Sequence, residues 1–262
     1  MKRFVFWIVS AFAVFSLCGC MAESPLPETA FTTQLTTVPT AQAETEPPTE
    51  PTKPEHSELY IPGVPVEDVI RYFNEVCLDA EYSTGTGDPS RVQKWAEPIS
   101  YEIKGNCTQQ DMDTLETFVQ WLNGIEGFPG MYPAQGDQHV NLQIHFCAGG
   151  EIPNILGSDF YGTDGGVTFW YRADEIYDAT ICYSTDVSQF VRNSVILEEI
   201  FNGLGPVQDT WLRPDSIAYA GYSEPQSLTA VDELILKLLY HPLILPGMNA
   251  AQCEAVIRAL YY

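Results

Sequence analysis

The sequence predicts an α+β domain: a mixed, twisted sheet packed with helices, with further helices at its C-terminal end. Three observations carry this prediction. Runs that alternate apolar and polar residues, the mark of half-buried strands, stand at 99–103, 140–146, 166–171 and 179–183. Apolar residues recurring at three and four positions mark helices at 66–80, 108–122, 190–203, 228–240 and 250–260. Strands gather in the front half and helices in the back half, which is the order of an α+β domain rather than a regular βα alternation.

Ahead of that domain the chain carries an address. Lys2 and Arg3 precede an apolar run over 4–17 that is too short to span a bilayer and has the charge-then-apolar order of an export signal. The run ends in Leu17-Cys18-Gly19-Cys20, which resembles a bacterial lipobox. The resemblance implies a signal peptide over 1–20, with Cys20 as the lipid-bearing mature N-terminus. A diacylated or triacylated (palmitate-type) cysteine meets the need for more than one chain in stable anchoring. Residues 21–58 read as a disordered tether rich in Thr, Pro and Glu, with too few apolar residues to offset the entropy of ordering and prolines that stiffen it. The expected location is the extracytoplasmic face of the cell membrane, with residues 59–262 folded outside.

Removing Lys2 and Arg3 with the signal leaves ten basic residues against 35 acidic ones, a formal balance of −25. So acidic a surface disfavours nucleic acid and anionic lipid headgroups as partners. It suits cationic partners or carboxylate-held Ca²⁺, beside the blander role of keeping the exterior solvated. Cys77, Cys107, Cys147, Cys182 and Cys253 lie in the folded region, an odd number with no Cys-x-x-Cys spacing, and their connectivity is not legible.

The elements follow in order. Val66, Val69, Ile70, Phe73 and Cys77 make the stripe of the first helix. A loop follows at 83–89. The strand at 99–103 comes just after Trp95 and Pro98. Thr108, with Asp111 three residues on, caps the next helix, whose stripe is Met112, Leu115, Phe118, Val119 and Leu122. The strand at 140–146 precedes a long loop at 149–166 with turn residues, and two strands follow it. The helix at 190–203 ends at Gly203 and Gly205. Thr229 caps the next helix, with Val231, Leu234, Ile235, Leu238 and Leu239 buried. Pro246-Gly247-Met248 breaks the chain before the last helix.

The stretch 198–209 carries the one motif with chemistry in its frame. It resembles the metzincin signature His-Glu-x-x-His-x-x-Gly-x-x-His, with the Glu at Glu199 and the Gly at Gly205. The three histidine positions fall on Glu198, Asn202 and Gln208. The order of elements is also similar to a matrix metalloproteinase domain: an early strand, a long helix, further strands, an edge strand, then the active-site helix. The Met-turn would lie at 215–219, where no Met stands. A closer resemblance is to a family of bacterial lipoproteins with a domain of no assigned function. Its pattern falls on Trp95, Pro98, the Glu198-Glu199 pair before Leu204-Gly205, Asp209, Ser216, and a closing stretch that takes in Leu228-Thr229, Asp232, Tyr240 and Pro246-Gly247-Met248.

What the resemblance implies about fold it denies about chemistry. Zinc needs imidazole, thiolate or carboxylate ligands and an open position for water. Amide oxygens at Asn202 and Gln208 are hard, neutral donors that suit Ca²⁺ within a fuller cage. No metal site is therefore expected, Glu199 is a vestigial base, and His139, His145 and His241 form no ligand pair. Asp159, Asp164 and Gly165-Gly166 resemble Ca²⁺-holding loops, although a plain turn is the simpler reading. Glu198, Glu199, Asp209 and Asp232 are expected as structural carboxylates, the first three bonding amides of the following loop. The expected function is a non-catalytic surface module that binds or scaffolds, with a peptide or cell-wall ligand. The alternative is a surface hydrolase, peptidase or wall-active, using Glu199 with unusual ligands.

Overall fold

Helix and strand fall largely where the two periodicities place them. The computed structural model describes residues 57–78 and 91–262. The signal peptide, Cys20, the tether up to residue 56 and the loop at 83–89 lie outside the described residues. The first helix, α1, is Val66–Leu78. A short strand, β1 (Lys94–Trp95), precedes β2 (Ile99–Gly105) and helix α2 (Gln109–Leu122). Strands β3 (Met131–Pro133) and β4 (Leu142–Cys147), a short helix α3 (Ile152–Leu156), and strands β5 (Gly165–Arg172) and β6 (Glu175–Ser184) follow. Helices α4 (Gln189–Gly203), α5 (Ala230–Tyr240) and α6 (Ala250–Tyr261) close the chain.

The sheet is mixed and mostly parallel. Strands β3, β2, β4 and β6 lie side by side and parallel, and β1 pairs in parallel with the start of β6. A parallel pair needs a crossover, which α2 supplies between β2 and β3. Among the described strands only β5 runs antiparallel, joined to β6 by a two-residue hairpin in which Ala173 and Asp174 take φ of 50° and 66°. Left-handed residues at both central positions are what a tight hairpin demands.

The caps expected at Thr108 and Thr229 form as reciprocal capping boxes with Asp111 and Asp232. Ser188 caps α4, and Asn249 with Gln252 caps α6. The expected long loop at 149–166 is corrected: it holds α3 between two short 3₁₀ turns, and Gly165 and Gly166 belong to β5. Pro153 sits in the first turn of α3, where its missing N–H costs nothing. Ile152, Leu156 and Phe160, four apart, bury against Cys182. They press on the sheet so closely that a Cβ at Gly166 would lie 2.4 Å from Phe160. The strands β1 and β3 were not anticipated, because two or three residues are too few for alternation to register.

Helices α2 and α4 pack together, and α4 lies across β5 and β6. Helices α5 and α6 pack on α1. Between these groups lies a buried amine. Lys94 Nζ donates to Leu239 O at 2.8 Å and Ile244 O at 2.5 Å, and sits 5.5 Å from the centre of the Tyr240 ring. It thus supplies a positive charge at the C-terminal end of α5, where the helix dipole favours one. Burial nevertheless pushes its pKa down from 10.5 to about 8, with the nearby Cys253 opposing.

Holding that charge inside costs about 3 kcal/mol below pH 8, a cost that fades as pH rises toward 10 because the unfolded chain then keeps a proton the folded one has released. Buried thiols act oppositely above pH 9, since burial raises Cys77, Cys182 and Cys253 and the folded state retains their protons. The comparison must therefore be made against Lys94→Met at each pH. Urea unfolding under reducing conditions should show wild type gaining about 2 kcal/mol on the variant between about pH 7.5 and 9.5. A constant difference would mean Lys94 holds an ordinary pKa.

Candidate functional site

The residues of the degenerate motif lie in the C-terminal half of α4, against the sheet. Glu198, Glu199 and Asn202 are 2%, 0% and 1% exposed. Helix and sheet approach closely here: a Cβ at Gly165 would lie 2.3 Å from Val195 Cγ1 and 3.2 Å from Glu199 Cγ. Burial raises the pKa of Cys182 and Tyr183, and the charge of Glu199 pushes both further up. Both ends of the Asn202 side-chain amide, and Ser194 Oγ, are buried with no hydrogen-bond partner among the described residues.

The chain leaves α4 through Leu204 and turns at Gly205, whose φ of 125° only glycine adopts freely. A Cβ there would stand 2.3 Å from Gln93 O. Beyond the turn, the backbone N–H of Gln208 donates to Val76 O at 3.2 Å, docking the segment on the end of α1. Gln208 and Asp209 are half-buried. The donor set at the three ligand positions is thus one buried carboxylate and two amides. Among the described residues no group of three or more His, Cys, Asp or Glu side chains gathers as metal ligands would. These residues do not fit a zinc ion, and no catalytic step is derived through one.

Other motif residues, scattered over the chain, meet around the end of α4. Trp95 Nε1 donates to Gly203 O at 2.9 Å, and Tyr240 Oη donates to Leu204 O at 2.7 Å. Gly247 N–H donates to Val92 O and Val92 N–H to Met248 O, both at 2.9 Å. Asp232 lies at the centre of a buried cluster. Its Oδ1 accepts from Tyr72 Oη at 2.6 Å and Ser216 Oγ at 2.8 Å, while the two hydroxyls lie 2.5 Å apart. Its Oδ2 accepts from Thr229 N at 2.9 Å, Thr229 Oγ1 at 2.8 Å and Ile217 N at 3.3 Å. Burial and the Asp232 charge push Tyr72 far above the usual phenol range, so it stays a donor.

The loop after α4 is held from two sides. Glu75 Oε1 accepts from Thr210 Oγ1 at 2.7 Å and from Trp211 N at 3.3 Å. Asp232 holds Ser216 and Ile217. Glu75, Tyr72, Lys94 and Arg192 were not singled out from sequence. The signal for Arg192 was present, as the one basic residue in the apolar helix α4; Glu75 and Tyr72 carried none, because their partners lie more than 130 residues away.

Histidines and cysteines take structural positions. His145 lies on β4 with Nε2 3.4 Å from Gln143 Oε1. His241 is the C-cap residue of α5, but its Nδ1 accepts from Leu243 N–H at 3.1 Å instead of its ring bonding helix carbonyls. All five cysteines of the folded region are free thiols. Cys182 and Cys147 are hydrogen-bonded neighbours on adjacent strands.

Residues 165–169 of the edge strand β5 are buried, leaving Trp170, Tyr171 and Arg172 accessible. A more open concavity lies elsewhere, between α2, α4 and the segment before α5. This groove has a volume of about 480 Å³. Its floor is apolar, from Phe118, Trp121, Leu197 and Leu228, and Asp113 and Glu233 stand at its rim.

No curated protein and no solved structure matches this chain. One family model does, over residues 66–259. That match runs from the first residue of α1 into the last turn of α6, taking in the sheet, α4 and the Asp232 cluster alike. The chain belongs to the family described as Protein of unknown function (DUF2927).

Proposed function

We propose that this protein is a lipid-anchored module of the extracytoplasmic face of the cell membrane, whose folded region is a zincin-like domain that binds rather than cleaves. One observation carries the non-catalytic half: Glu199, the residue in the place of the general base, is wholly buried, with Glu198 and Asn202 beside it. A base must reach a water and a substrate, and a closed interior offers neither. Supporting the zincin-like reading are the succession β2, α2, further strands, edge strand β5 and α4, and the glycine turn at Gly205 directly after the helix. Supporting the anchor are the lipobox-like Leu17-Cys18-Gly19-Cys20 and the tether. The groove beside α2 supports the binding half, since pockets of roughly 300–1,000 Å³ with an apolar lining are where ligands dock.

Metal content and hydrolysis test the reading together. Full chain purified without chelators should carry no stoichiometric zinc by mass spectrometry and should leave a mixed peptide library intact. One zinc per chain, lost in Glu198→Gln and Asn202→Ala, would overturn the non-catalytic assignment. Labelling with radioactive palmitate tests the anchor independently: it should disappear in Cys20→Ser, and labelling that survived would remove Cys20 as the attachment point.

A further inference from the structure

We infer that the groove between α2, α4 and the segment before α5 receives a peptide in which lysine or arginine alternates with aliphatic residues. The inference rests on the binding role proposed above and names its ligand.

The floor sets the first requirement. Phe118 and Leu197 are buried, while Trp121 and Leu228 are only partly so, and they leave an apolar surface open at the bottom of the groove. Phe118 and Trp121 stack with ring centres 5.8 Å apart, which fixes the indole in place. Aliphatic side chains would gain by covering this floor.

The rim sets the second requirement, through its carboxylates, while several of its neutral donors are spent within the fold and, among the described residues, those of Gln110 and Ser227 are not. Thr114 Oγ1 donates to Gln110 O at 2.9 Å and Thr117 Oγ1 to Asp113 O at 2.6 Å, each within α2. Gln226 Nε2 donates to Phe190 O and Glu224 O, both at 3.1 Å. What these side chains still present is oxygen. Asp113 is exposed and accepts one bond, on Oδ1 from Gln109 at 2.8 Å. Glu233 adds a second carboxylate, partly offset by Lys237 at 3.4 Å. Carboxylates at Asp113 and Glu233 call for an occupant with ammonium or guanidinium groups, and Gln110 and Ser227 offer donors to its peptide carbonyls.

The third requirement is electrostatic. Lys237 Nζ lies 5.9 Å from the centre of the Trp121 ring, so the chain's own cation stands beside the indole and an incoming one is directed to Asp113 at the other side of the rim. The whole folded region is strongly acidic, and its field draws cations toward any such groove. An anionic or neutral apolar ligand would satisfy the floor and be refused by the rim; a cationic but polar one would do the reverse.

The test uses the full chain in detergent micelles and three fluorescein-labelled octapeptides read by anisotropy, with protein-free micelles as baseline. One alternates Lys and Leu, one replaces Lys by Glu, and one replaces Leu by Ser. Only the Lys–Leu peptide should bind saturably. Trp121→Ala should weaken it at least about tenfold and Asp113→Asn about threefold, while Leu245→Ser, an exposed residue outside the groove lining, should leave it unchanged. Asp113→Asn lies outside the core, so it decides the matter if Trp121→Ala fails to fold. Equal binding of the Glu peptide, or binding untouched by both groove variants, would overturn the groove while leaving the binding role standing. No saturable binding by any of the three peptides would also overturn it. Only the zinc and hydrolysis measurements bear on the non-catalytic assignment, so the two failures are distinguishable.

Discussion

Asp232→Ala should lower the free energy of unfolding by about 3–5 kcal/mol, measured by urea denaturation at neutral pH. The carboxylate is fully buried and accepts five hydrogen bonds from four residues. Removing it strips the reciprocal half of the α5 capping box, worth about 1 kcal/mol. It also strands the Ile217 N–H and takes an acceptor from both Tyr72 and Ser216, whose Oγ keeps only Tyr72 and the Ala218 N–H, and each buried polar group left unbonded costs about 1–3 kcal/mol. Asp232→Asn sharpens the expectation. Asn and Asp serve alike as N-caps, but Asp232 is the N3 residue, whose carboxylate reaches back to the N–H of Thr229. Here both oxygens face donors only, so in either orientation the new NH₂ points at hydrogens, and the Asn variant should lose nearly as much as Ala. Tyr72→Phe removes one hydroxyl and should cost about 1 kcal/mol. An Asn variant as stable as wild type would mean the cluster is looser than these distances imply.

That cluster bears on how much the sequence could say. Helices were legible because each buries one face, and their caps because Thr108–Asp111 and Thr229–Asp232 are local. The strand runs at 99–103, 140–146, 166–171 and 179–183 were legible for the same reason, since alternation is a property of neighbours. The helix α3 was hidden by length: five residues do not establish a period, and Pro153 and the glycines around it read as turn. β1 was hidden because its alignment comes from a partner strand some 80 residues away.

The candidate site was legible in its letters and not in its setting. The frame Glu198-Glu199 to Gly205 could be read as a protease helix without ligands. Whether those carboxylates face a cleft or the interior depends on how closely the sheet approaches, which is fixed at Gly165 on β5 and Cys182 on β6, where neither motif nor spacing marks it. The scattered letters Trp95, Gly205, Asp232, Tyr240 and Pro246-Gly247-Met248 look like a functional signature when read in line. In space Trp95 and Tyr240 tie down the end of α4 through Gly203 O and Leu204 O, Asp232 holds the loop beyond it through Ser216 and Ile217, and Gly247 pairs with Val92 beside Trp95's strand. Residues that recur as a pattern can thus be held together by the fold's own hydrogen bonding, and the groove, made of ordinary helix-face residues, leaves no motif at all.

The second large effect is expected where α2 meets α4. Asp111→Ala should destabilise by about 3–5 kcal/mol, because it leaves the Arg192 guanidinium buried without its counter-charge. Arg192 Nε donates to Asp111 Oδ1 at 2.8 Å, with side chains 7% and 0% exposed. Gln189 Nε2 also donates to that oxygen at 2.5 Å, and Thr108 N donates to Oδ2 at 2.7 Å, so one carboxylate caps α2 and clamps α4. Replacing both partners by apolar residues, Asp111→Leu with Arg192→Met, should recover much of the loss and still fall short of wild type, since the cap at Thr108 is not restored. The same group gives an acid signature. Burial pushes the Asp111 pKa up, but the bonds from Arg192, Thr108 and Gln189 outweigh it and hold the carboxyl below its ordinary 3.8. Its contribution is therefore complete above about pH 4 and lost as pH falls through the lower folded value, so Asp111→Asn should flatten the acid limb of the stability curve. Thr114, Phe118 and Trp121 on α2 and Leu197 on α4 line the groove, so the clamp also sets its width. As pH falls through the lowered folded value of Asp111, peptide binding should weaken, because protonating that carboxyl frees the two walls from each other.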